Sequence, residues 1–193
     1  MPPKVRFQQQ DIVDAAFALA RKDGIDAINA RSVASEIGCS TQPIFRVFEN
    51  MDQLKEKVQE RAVQFFSEYI EKCRTKIPSA YKALGMAYLL FAMEEPQLFH
   101  IVFLSRNGKQ PRNLFACRKE VIDCLVEKSG FNQQQAEQIH LHMWVYTYGL
   151  GAMLATEQLR YTQEELSEML NQEYRCVVSG MLWEKASNYN PPV

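Results

Sequence analysis

Residues 38–51 read GCSTQPIFRVFENM, and the fold turns on what Pro43 does there. Asn29 is a good N-cap for a helix carrying Val33, Ala34 and Ile37, and Gly38 stops it. Five residues on, Pro43 lies where a second helix should start. Proline lacks an N–H and clashes with the carbonyl four residues back. First-turn amides have no internal partner, however, and that carbonyl belongs to Cys39, outside the helix. Pro43 therefore permits a helix starting at about Thr41 and forbids one starting much earlier. It also pushes Gln42 out of the α region, which sets the start at Gln42 or Pro43 with Ser40 or Thr41 as the cap. The helix is predicted to span barely two turns, ending near Val47 or Phe48. So short a helix is marginal alone and needs packing, for which Ile44 and Phe48, four apart, face inward. Thr41, Gln42, Phe45 and Arg46 are left on the other side.

Two short helices joined by a brief glycine-containing turn have helix-turn-helix geometry, in which the second helix enters the major groove. Many all-helical proteins contain such a corner as a solvated feature. Here the outward face combines a hydroxyl, an amide, an aromatic ring and a cation, a set that suits base edges and phosphates.

The rest of the chain is helical. No sustained alternation of apolar and polar residues appears, and apolar positions recur at three and four. The first helix is predicted over Gln8 to Asp23, with Ile12, Ala15, Ala16, Leu19 and Ala20 in one stripe and Gly24 as the stop. A long amphipathic helix follows from Met51 to about Lys76, the natural connector between two parts of the molecule. Further helices are predicted near 79–94, 96–106, 111–129, 133–158 and 163–186, separated by Pro96, Asn107-Gly108, Pro111 and Gly130.

With 193 residues, 47% hydrophobic and 23% charged, the chain can build a sizeable core. Its formal net charge is −1, and residues 1–61 hold as many acidic as basic side chains. Any affinity for nucleic acid must then come from a few placed cations and not from a broad field. The N-terminal stretch has no apolar run behind Lys4 and Arg6, so neither signal nor anchor is expected. The longest apolar stretch, Leu141 to Ala155, falls short of the roughly 20 residues that span a bilayer. The 5 cysteines are odd in number and form no C-x-x-C, which indicates no disulfide framework or zinc site and fits a reducing cytoplasm.

Ala15-Ala16, Gly24, Asn29, Val33-Ala34, Gly38, Ser40, Ile44-Phe45, Phe48 and Leu54 together resemble the N-terminal DNA-binding domain of TetR-family transcriptional regulators, over about residues 6–66. The resemblance implies an all-α fold of about nine helices: a three-helix helix-turn-helix head (6–66, with the motif at about 29–48) joined by a long helix to a larger effector-binding and dimerisation domain (67–188). It implies a homodimer formed by the last two helices, a small effector, operator DNA as partner, and most often repression. Carried onto this chain, Gly38 is the turn glycine and Ser40 opens the recognition helix. Phe45 stands where the family usually has a tyrosine whose hydroxyl meets a phosphate, and Met51 where it commonly has a lysine. Arg31, Arg46 and Lys55, with Lys4 and Arg6 on the N-terminal arm, are the cations placed to compensate. The implied DNA-binding set is Asn29, Arg31, Ser40, Thr41, Gln42, Pro43, Phe45, Arg46 and Lys55.

In the body, Tyr88 to Ser105 resembles the family's effector region. Phe65, Tyr69, Phe91, Phe99, Phe103, Trp144 and Tyr148 are candidates to line a cavity for a small apolar or aromatic effector, although aromatics at helical spacing also simply build cores. Leu166, Met169, Leu170, Val177, Gly180 and Met181 form one stripe of the last helix, which with the preceding apolar helix suits an isologous four-helix interface. Packing within one chain is the alternative. His100, His140 and His142 are too scattered for a metal site, and no cofactor motif occurs. No nucleophile, base and orienting group stand together, so an enzyme is not indicated. The competing function is a helical ligand-binding or scaffolding protein with a degenerate DNA-binding head, motivated by the even charge balance, Phe45 and Met51.

Overall fold

Nine α-helices and no strand occur among the described residues, 7–105 and 118–187 of a computed structural model. The chain divides into two compact units, Met1–Glu68 with Glu95–Pro111, and Tyr69–Glu94 with Arg112–Val193. The arm cations Lys4 and Arg6, and the stretch 111–117 of the helix expected over 111–129, lie outside the described residues.

In the first unit, α1 (Gln9–Asp23) starts in a capping box, where Asp11 accepts the Gln8 N–H at 2.8 Å, and stops at Gly24 with φ 86. It buries Ile12, Val13, Ala16 and Ala20. A single 3-10 turn, Ile25–Ala27, then leads to α2 (Ala30–Ile37) and α3 (Gln42–Val47). The helix α4 (Met51–Arg74) begins in a cap of its own: Asn50 Oδ1 accepts the Gln53 N–H at 2.9 Å, and Gln53 Oε1 accepts the Glu49 N–H at 2.9 Å. The division between units falls inside α4, after Glu68.

Residues from Glu95 onward pack with the first unit although they lie beyond α5 in sequence. Here α6 (Pro96–Phe99) continues as wider π-helical turns over His100–Leu104, so the single helix expected over 96–106 changes its winding. Two kinds of contact hold the segment. Glu95, whose side chain is only 6% exposed, receives both Nε and Nη2 of Arg21, the first at 2.7 Å. Phe103 packs edge-on against Phe66 at 5.1 Å. A neighbouring stack places Phe17 against Phe65 at 5.7 Å, with the Arg61 guanidinium 5.2 Å from the Phe17 ring and that of Arg21 5.2 Å from Phe65.

The second unit contains α5 (Ala80–Glu94), α7 (Arg118–Ser129), α8 (Gln133–Ala155) and α9 (Gln163–Ser187). From Ala83 to Ala92 every residue of α5 but Gly85 is buried, because α7, α8 and α9 all pack on it. Asn132 and Gln135 cap α8 reciprocally, and Thr162 and Glu165 do the same for α9. No described helix is long and apolar enough to cross a membrane.

Candidate nucleic-acid interface and cavity

Local chemistry shapes the helix-turn-helix. Asn29 Oδ1 accepts the Arg31 and Ser32 N–H groups, both at 3.0 Å, so its side chain is spent on capping α2. Gly38 ends that helix in the left-handed conformation, φ 75 and ψ 37, and the next amide, of Cys39, reaches back to the Ala34 carbonyl at 2.9 Å. The chain then enters α3 through Thr41, whose carbonyl takes the Ile44 N–H at 3.2 Å and the Phe45 N–H at 3.4 Å. Pro43, with no N–H to place, sits half-buried in the first turn. Thr41 serves as the cap residue by position alone, since its side chain makes no capping bond.

Ile44 and Phe48 are 0% and 1% exposed and hold α3 to the head. Burying each contributes about 1.5–3 kcal/mol, which a six-residue helix needs in order to persist. The opposite face presents Gln42, Phe45 and Arg46 to solvent, with Ser40 just ahead of them. Phe45 is 52% exposed. Arg31 is exposed and Lys55 half-buried. None of Arg31, Arg46 and Lys55 forms an ion pair among the described residues, whereas Arg21, Lys57 and Arg61 are each paired with a glutamate. Met51, the first residue of α4, is half-buried.

The second unit contains a cavity of about 430 Å³. Its walls come from Ser79 and the start of α5 (Tyr81, Lys82, Leu84, Gly85), from Cys124 and Leu125 of α7, from His140, Met143, Trp144 and Thr147 of α8, and from Leu170, Asn171, Tyr174 and Arg175 of α9. Tyr81 centres an aromatic cluster, with His140 and Tyr174 each 6.1 Å away. Burial, reinforced by Tyr174, pushes the Tyr81 hydroxyl far above the ordinary tyrosine range, so it stays a proton donor. Gly85 leaves room for Leu170, whose Cδ1 would lie 3.2 Å from a Cβ at that position.

Of the seven aromatic residues nominated from sequence, Trp144 lines this cavity. Phe65, Phe99 and Phe103 belong to the first unit, where Phe99 and Phe103 lie 5.0 Å apart. Tyr69 packs edge-on to Phe91 at 5.3 Å and donates its hydroxyl proton to Glu94 at 2.6 Å. Tyr148 packs between Trp144 and Tyr88. The polar and small residues of the walls carried no aromatic or motif signal in the sequence, and their convergence from four helices is tertiary. No group of three or more His, Cys, Asp or Glu side chains suited to a metal ion occurs among the described residues.

The order and packing of these helices define the fold of the TetR-like transcriptional regulators. A TetR-like regulator from Rhodococcus sp. RHA1 superposes with a TM-score of 0.60 at 13% identity, covering 98% of this chain and 100% of that one. FadR from Bacillus subtilis, solved in complex with stearoyl-CoA, gives a TM-score of 0.54 at 17% identity over 90% of this chain and 99% of its own. In sequence, the chain is 22% identical over 189 residues to the HTH-type transcriptional regulator YobS of Bacillus subtilis (strain 168), covering 94% of this chain and 96% of that protein. No protein-family model matches the chain.

Proposed function

We propose that the protein is a DNA-binding transcriptional regulator, a dimeric repressor released from its operator by a small-molecule effector. The observation that carries this reading is the outward face of α3, where Gln42, Phe45 and Arg46 stand exposed on a helix anchored from behind by Ile44 and Phe48. A helix held this way presents an amide and a guanidinium to base edges. Phe45 supplies an apolar surface for a thymine methyl in place of a hydroxyl for phosphate. Arg31 and Lys55, without carboxylate partners, take part of the phosphate load that Phe45 and Met51 give up, while Asn29, Thr41 and Pro43 shape the motif.

Dimerisation through α8 and α9 is the second element. Leu141, Val145 and Met153 are 54%, 60% and 44% exposed along α8, and Leu182 of α9 is 52% exposed. Large apolar side chains in such a run are ordinarily covered by a partner. Two heads joined in this way meet successive major grooves, with half-sites about 34–36 Å apart. The cavity is the effector site of this reading. Trp144 both lines it and, at 39% exposed, reaches the surface of α8, so an occupant acts directly on a helix of the interface. To move occupancy from 1:99 to 99:1 the effector must favour the released state by about 5.5 kcal/mol.

The test is a gel shift with purified full-length protein and the DNA upstream of its own gene. A discrete, competitor-resistant complex is expected. Absence of any sequence-preferring complex, there or with DNA selected from a random pool, would favour the ligand-binding or scaffolding alternative.

A further inference from the structure

We infer that the cavity of the second unit takes an organic acid, an apolar body with one carboxylate or equivalent anion held at Lys82 and Arg175; this rests on the effector role proposed above. The charge of the cavity favours an anion. The lining residues include two cations, Lys82 and Arg175, and no Asp or Glu. Walls that are otherwise largely apolar give half-buried Lys82 a weaker dielectric screen than open water would.

Neither cation is held by a strong ion pair among the described residues. Lys82 forms no ion pair among the described residues. It also sits in the first turn of α5, a turn without an acidic residue. The positive end of a helix macrodipole disfavours a cation there. Ser79 meets it with a neutral cap only, its hydroxyl oxygen accepting the Lys82 N–H at 3.3 Å. The position thus combines two positive contributions that no described carboxylate offsets, and a bound anion would offset both. Arg175 does have a partner, Glu168 at 2.8 Å, but their side chains are 66% and 65% exposed. So exposed a pair contributes little, and exchanging Glu168 for a ligand carboxylate costs little. Tyr81, kept protonated by burial, is also among the lining residues and retains a hydroxyl proton to donate.

Size and wall chemistry set the rest of the ligand. A cavity of about 430 Å³ lies within the roughly 300–1,000 Å³ of small-molecule sites. Leu84, Leu125, Met143, Trp144 and Leu170 ask for a hydrophobic body, which a bare inorganic anion lacks.

Isothermal titration calorimetry of the full-length protein without DNA tests this, with 2-naphthoate, 4-phenylbutyrate and decanoate as probes, each beside its primary amide. At least one acid should bind, about tenfold or more tightly than its amide, the range of a charge-assisted hydrogen bond. Lys82→Met should reduce the acid to the affinity of its amide, Lys82→Arg should retain the preference, and unchanged amide binding in both reports an intact cavity. Should Lys82→Met not fold, Arg175→Met is read in the same way. Equal binding of acid and amide, a preference that survives both Lys82→Met and Arg175→Met, or no binding by any acid of the panel would overturn the inference. An acid that binds but leaves the operator complex intact would count against the regulatory role and not against the chemistry of the site.

Discussion

Arg21→Met is expected to destabilise the first unit out of proportion to its place on the surface. Arg21 is half exposed, but its two donors end on Glu95, whose side chain is 94% shielded. Removing the guanidinium leaves that carboxylate buried without the partner it folds around. Breaking a buried pair from one side costs about 3–5 kcal/mol. Water reaching through the exposed half of Arg21 lowers this to about 2–3 kcal/mol. At about 2–4 °C per kcal/mol for a chain of this size, Tm should fall by about 4–12 °C. Arg21 also lies over the Phe65 ring, and methionine retains part of that contact. The double variant Arg21→Met, Glu95→Leu isolates the pair. Once both charges are gone, most of the loss should return, giving a coupling of about 1–3 kcal/mol in a double-mutant cycle. Urea denaturation followed by circular dichroism, at fixed protein concentration, reads all four proteins. A loss under about 0.5 kcal/mol for Arg21→Met, the usual size of a surface effect, or a cycle with no coupling, would refute the reasoning that this contact fastens Glu95 and the segment after it to α1.

Three further outcomes are expected. Gly38→Ala meets no atom within 4 Å, so its cost is the left-handed backbone alone, about 1 kcal/mol, visible as a Tm lower by about 2–4 °C. Val145→Glu, on the most exposed apolar position of α8, should shift the protein to monomer in sedimentation equilibrium with its helical content intact. In native protein Cys176, which is exposed, should alkylate with iodoacetamide well before buried Cys73. Burial holds the Cys73 thiol above its ordinary range, so the thiolate at this site is scarce until pH rises past that raised value, and its modification should begin only at more alkaline pH than for an unfolded control.

Sequence signals that act over a few residues are largely legible. Asn29 caps α2, Gly38 takes a positive φ, and α3 starts within the range Pro43 allows, although Gln42 is helical and is not displaced from the α region as expected of a residue before proline. Thr41 departs from the expectation in a small way: its backbone serves the helix while its hydroxyl does not. Gly24 was legible as a stop, but the 3-10 turn behind it was not, because three residues carry no period. The larger misses depend on distant partners. Nothing near Pro96 announces that Glu95 will bind an arginine 74 positions earlier, or that the helix beyond will widen into π turns. The cavity was least visible of all. Aromatic residues at helical spacing mark where a core is, whereas a gap is enclosed by whichever side chains four separate helices happen to turn toward one another. Lys82 and Asn171, which carry no pattern at all, ended on its walls.

The central claim is that the outward face of α3 reads DNA, and fluorescence anisotropy on an operator fragment, titrated at several salt concentrations, tests it most directly. The wild-type protein should prefer the operator to a scrambled duplex and lose affinity steeply as salt rises. Arg46→Ala, at an exposed position, should fold normally yet bind about tenfold or more weakly, with reduced sequence preference or a salt slope lower by about one. Binding that ignores sequence and salt, or an Arg46→Ala protein that binds as tightly as the wild type, would contradict it.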